Sequence, residues 1–140
     1  MYLQIVAGLY VILINRDLFP VIKDTYVVET NFPWDSAPTF EVFRHPNNQK
    51  WFALIMDIKK SSLGLDSDDL ISVVNLKCEP ALIGSFIKDD GIFPAYHMNK
   101  EHWLSVALDG SVPEDRIKLL VDISFELTAL KVVKNMRKKS

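Results

Sequence analysis

Three histidines and one cysteine have the widest chemical repertoire in this 140-residue chain, and their spacing gives them no common task. His97 and His102 stand five apart in FPAYHMNKEHW, which matches neither one helix face nor one strand face, so a shared metal ion is not expected. His45 sits alone at a turn, and no spacing ties Asp57 or Asp109 to a histidine as an acid–base pair. Cys78 would be a nucleophile only if exposed beside a base, and at the end of an apolar run it reads as a buried strand-end side chain. Asp66, Asp68 and Asp69 in LDSDD lack the glycine and glutamate that a calcium loop needs at its sixth and twelfth positions. Gly8, Gly64, Gly84, Gly91 and Gly110 form no phosphate-binding loop, and no G-x-S-x-G turn is present. The expectation is a chain without enzymatic activity, cofactor or metal.

Recognition is the remaining chemistry, and two segments interleave bases with aromatic rings as a nucleic-acid surface requires. One gathers Arg44, His45, Lys50 and Trp51 around a turn; the other holds Tyr96, His97, Lys100, His102 and Trp103. The net charge of −2 hides an uneven distribution. Residues 131–140 (KVVKNMRKKS) carry five bases and no acid, whereas residues 1–130 carry 11 bases against 18 acids, a net −7. Long-range attraction to phosphate is therefore weak, and any contact must be local to the two segments or to the tail.

These residues need a scaffold, and the composition provides one. Hydrophobic residues make up 49% of the chain and charged residues 24%, which suits one globular domain with a core that needs no disulfide. A single cysteine fits a reducing cytoplasm. Residues 1–15 are uncharged, but the apolar run from Ile5 to Ile14 is too short to span a membrane, and the first base, Arg16, lies behind it rather than before it. A buried helix, an edge strand and a dimer contact all remain open for it.

Asn15 or Asp17 is expected to cap a short helix reaching Lys23 to Tyr26, followed by a loop to Pro38 with Phe32 and Trp34 as anchors. From there the period becomes two. Residues 39–45 and 51–58 read as a hairpin closed by PNNQK, with positive φ expected at an asparagine. Its first strand sets Phe40, Val42 and Arg44 against Glu41, Phe43 and His45. A polar loop with Gly64 leads to a strand over 70–78 and a helix over 80–89, with Pro80 first and Gly91 closing it. Residues 101–109 alternate as another strand. Ser111 and Glu114 are spaced as a capping box for a long helix that runs towards the basic tail. The sum is an α+β, two-layer sandwich: an antiparallel sheet of four or five strands with helices packed on one face.

Four stretches carry a further signal: FRHPNNQKWFALIMDI (43–58), VNLKCEPALIGS (74–85), FPAYHMNKEHWLSVALDGSVPED (93–115) and LVDISFELT (120–128). Over residues 16–130 the chain resembles the MmcQ/YjbR family of small bacterial proteins. The resemblance implies a YjbR-like domain whose hairpins form paired wings, and a DNA-binding or regulatory, non-enzymatic, cytoplasmic role. By position, it implies contacts from Arg44, His45, Asn47, Asn48 and Lys50 on the first wing, and from His97, Asn99, Lys100 and His102 on the second segment. A protein-interaction or small-ligand module, with a homodimer through residues 1–15 as one form of it, stays open as the alternative.

Overall fold

The computed structural model describes residues 29–45 and 48–129. The apolar residues 1–15, the helix expected at 16–26, the hairpin-tip residues 46 and 47 and the tail 131–140 lie outside the described residues, so the dimer reading and the positive φ expected at an asparagine of the turn are tested only in part or not at all.

Six strands form one sheet: β1 (Glu29–Asn31), β2 (Glu41–Arg44), β3 (Trp51–Lys59), β4 (Leu70–Lys77), β5 (Ile92–Pro94) and β6 (Trp103–Ala107). Their order is β1-β2-β3-β4-β6-β5, and each neighbouring pair is antiparallel. The sheet thus has one strand more than the upper expectation. The strands not expected, β1 and β5, are three-residue edge strands, β1 closely followed by Pro33 and β5 ending on Pro94, too short to display a period of two.

Two helices follow the expected places with changed ends. Helix α1 (Pro80–Phe86) begins with proline at its first turn, but it stops three residues early, because Lys88 and Asp89 donate to the carbonyls of Ser85 and Phe86 in tightened turns. Helix α2 (Glu114–Thr128) has Pro113 as its N-cap and no side-chain cap, so the capping box is absent. Ser111 turns back instead: its Oγ and N donate to Asp109 Oδ1 at 2.6 and 3.0 Å. An Asx turn has outcompeted the cap for the same hydroxyl.

Alternation along β3 divides the core into two layers. Ala53 and Ile55 face the helices, where they pack with Val74, Leu76, Leu104, Val106, Ile117, Leu120 and Val121. Leu54, Met56 and Ile58 face the other way, with Val42, Ile71, Val73 and Ala107. No α-helix covers this second face among the described residues; Leu63 of the 3-10 turn Lys60–Leu63 packs on it, and Trp34, Phe40, Trp51, Phe93, Tyr96 and Met98 close over it from loops and strand ends. The β2–β3 register shifts between Phe43 and Arg44, so that Arg44 pairs with Trp51 and Phe52 is the extra residue. This bulge turns both Phe52 and Ala53 towards the helices. Ser124 of α2 fits the irregularity: its Oγ donates to Phe52 O at 2.5 Å and accepts Lys77 N at 2.9 Å, so a helix hydroxyl joins β3 to β4.

Candidate functional site

The sheet register brings the two recognition segments to one end of the molecule. Arg44 pairs with Trp51, and Lys77 pairs with Trp103, the terminal rows of β2–β3 and β4–β6. The Arg44 guanidinium lies 5.3 Å from the centre of the Trp51 ring, a cation–π contact, while its Nε donates to Asn31 Oδ1 at 3.2 Å.

The residues expected to contact DNA separate into anchors and free groups. His45 is an anchor and is buried at 6% exposure. Its ring lies 4.1 Å from that of Phe125, and its Nε2 is 2.9 Å from Phe125 O and 2.7 Å from Thr128 Oγ1. A carbonyl can only accept, so Nε2 carries the proton and donates. Asn48 is held as well: Nδ2 donates to Thr128 O at 2.9 Å, and Oδ1 accepts Lys50 N at 2.9 Å. Both residues clamp the end of α2 to the hairpin, which removes His45 from any DNA contact and commits the Asn48 amide to the helix. Among the described residues of this turn Gln49 is left-handed, with φ 62°.

Asn99 organises its own turn, with Oδ1 accepting Glu101 N and its carbonyl accepting the amides of His102 and Trp103. The His102 carbonyl accepts Cys78 N at 2.8 Å and its side chain is half-buried. Lys50, His97 and Lys100 are exposed, and neither lysine is ion-paired with a described residue.

Two residues that sequence reasoning passed over position the second segment. Asn75 and Ser105 are fully buried and paired across β4 and β6. Ser105 Oγ donates to Asn75 Oδ1 (2.5 Å), Asn75 Nδ2 donates to Tyr96 O (2.8 Å), and Tyr96 N donates to Ser105 Oγ (2.9 Å). This closed triangle fixes Tyr96 and delivers His97 with φ 56°, a conformation that costs a non-glycine residue roughly 1–3 kcal/mol. The available signal was a polar residue inside each of LISVVNLK and WLSVA, both on the face away from the helices.

Beneath His97 lies a groove of about 310 Å³, lined by Trp34, Ala37, Phe40, Trp51, Leu54, Met56, His97 and Met98. Trp34 meets Trp51 edge to face at 5.6 Å and Phe40 at 6.3 Å.

Cys78, Asp57 and Asp109 belong to neither recognition segment. Burial pushes the Cys78 thiol up, with the Glu79 amide opposing and the Glu79 charge adding a little, so it is a poor nucleophile at neutral pH. Asp57 accepts Ser72 Oγ at 2.5 Å in a cavity shared with Asp109 and Lys60, which no histidine lines. Among the described residues no three His, Cys, Asp or Glu side chains could jointly hold a metal ion, and no helix is long and apolar enough to cross a membrane.

Comparison with known proteins agrees with this architecture. The chain is 39% identical over 116 residues to YyaQ, an uncharacterised protein of Bacillus subtilis (strain 168), covering 83% of this chain and 98% of that one. It is 41% identical over 54 residues to the uncharacterised YjbR of Escherichia coli K12, over 38% of this chain and 46% of that protein. A crystal structure of a Pseudomonas syringae protein superposes with a TM-score of 0.79 at 41% identity, over 81% of this chain and 97% of that one. The YjbR family model matches residues 24–127, from before β1 almost to the end of α2, so the chain belongs to the YjbR family.

Proposed function

We propose that the protein is a cytoplasmic, non-catalytic module that binds DNA locally, through the β2–β3 hairpin tip together with the basic segment that follows α2. The observation that carries this reading is the clamp on Thr128. His45 and Asn48 hold the last turn of α2 against the hairpin, so the chain passes beside Lys50 just before the sequence that carries five bases. Lys100 adds an exposed cation on the second segment. The net −7 of residues 1–130 opposes distant attraction, which makes the interaction short-ranged and strongly salt-dependent.

Fluorescence anisotropy with a short labelled duplex at low salt tests the reading. Removal of residues 131–140 should weaken binding about tenfold or more, and Lys50→Glu severalfold, with both effects shrinking as salt rises. No measurable duplex binding by the full chain, or binding indifferent to both changes, overturns it.

A further inference from the structure

We propose that the groove under His97 is a binding site for a small planar aromatic anion of one or two rings, such as an aromatic carboxylate. The site stands apart from the DNA reading, since neither Lys50 nor Lys100 is among its lining residues. Three observations converge on it.

The first is shape and composition. At about 310 Å³ the groove sits at the small end of ligand pockets, about 300–1,000 Å³, and so suits a one- or two-ring molecule. Leu54 and Met56 line it from β3, and the Trp34 ring stands nearly perpendicular to the rings of both Phe40 and Trp51, which line it with Trp34. Perpendicular rings offer an incoming ring both faces and edges, the two arrangements that aromatic pairs favour. Met98 supplies an adaptable, polarisable contact.

The second is charge. Among the described residues no carboxylate lines the groove. Arg44 lies on the same Trp51 that forms a wall, and Asn31 engages only its Nε. Arg44 has no carboxylate partner among the described residues, so its terminal nitrogens can form the paired bonds that a carboxylate accepts. His97, exposed at the rim, adds a ring N–H that can donate to an anion.

The third is strain. His97 is held in the left-handed region by the buried Asn75–Ser105–Tyr96 triangle, and its ring packs edge to face on Tyr96 at 4.1 Å. A buried polar network that fixes a strained rim residue over an apolar groove is the kind of preorganisation a binding site uses.

Calorimetric titration of the full-length protein with 2-naphthoate tests the proposal. The expected result is saturable one-to-one binding. Ala37→Phe, on a half-buried loop position of the lining, should fill the groove and weaken binding about tenfold or more while leaving the thermal transition in place. Arg44→Met should weaken 2-naphthoate about tenfold but leave the neutral 2-naphthalenemethanol within about twofold, one charge-assisted contact corresponding to that range. Absence of saturable binding, including the case in which residues 1–28 already fill the groove, overturns the site. Equal affinity in Ala37→Phe overturns its location, and equal affinity for 2-naphthoate in Arg44→Met overturns the anion preference. Because Ala37→Phe leaves the hairpin tip and tail intact, DNA binding should be unchanged in it, which separates the two readings.

Discussion

The two faces of the sheet are built from the same strands, yet they are closed in different ways. On the helix side, α2 lays Ile117, Leu120 and Val121 onto Ala53, Ile55, Val74, Leu76 and Leu104, and all of these are buried to within 1% exposure. On the opposite side the strands bury Val42, Leu54, Met56, Ile58, Ile71, Val73 and Ala107 beside the polar pair Asn75 and Ser105, and the cover includes Trp34, Phe40, Tyr96 and Met98, each only partly buried. A helix delivers a side chain every turn and fills the layer continuously, whereas isolated loop anchors leave gaps between them. The helix side therefore carries stability, and the loop side keeps a groove and an unspent cation.

The contrast can be broken most severely by a truncation on the helix side. Leu120→Ala should cost about 2–5 kcal/mol in urea unfolding, whereas Met98→Ala, in the cover of the other face, should cost about 1 kcal/mol or less. Comparable losses from the two would show that the faces are equally packed. A smaller effect tests how tightly the loops close around the helix layer. Gly91 has φ +84°, and a Cβ there would lie 2.3 Å from Ser111 Oγ and 2.7 Å from Val112 Cγ2, where Val112 belongs to the helix-side core. Gly91→Ala should lower stability by about 2–4 kcal/mol through the combined clash and backbone strain, read as a lowered Tm with fluorescence unchanged in the native state. The smallest effect concerns the entry to α2. Ser111→Ala and Glu114→Gln should each stay within about 0.5 kcal/mol, as surface changes do, since the hydroxyl serves Asp109 rather than the helix; a loss near 1 kcal/mol in both would restore the capping box.

How much of this was legible follows the range of each interaction. The hairpin, β4, β6 and both helices announce themselves through local period, and β3 reads as a strand covered on both sides because seven of the eight residues 51–58 are apolar. Alternation also set His45 beside Phe43, and since Phe43 faces the helices, His45 does too; position in the family resemblance had pointed it outwards. Its partner Thr128 is 83 residues away, and no local pattern encodes such a pairing. Ser111 shows the complementary failure: two motifs compete for one hydroxyl, and only the path of the backbone decides between them. The Asn75–Ser105 pair was hidden for a third reason, because each looks like a single polar interruption until the register places them side by side.

The Ser124 hydroxyl has one more consequence. It receives the Lys77 amide and passes its own proton to the Phe52 carbonyl, so the connection between the two central strands at this end runs through an atom of α2. Lifting the helix takes the Ser124 hydroxyl away from both strand groups at once, and parting the strands takes both groups away from the hydroxyl. Helix undocking and strand opening are thereby one event at this point, and the hairpin end of the domain opens as a single cooperative unit rather than fraying layer by layer.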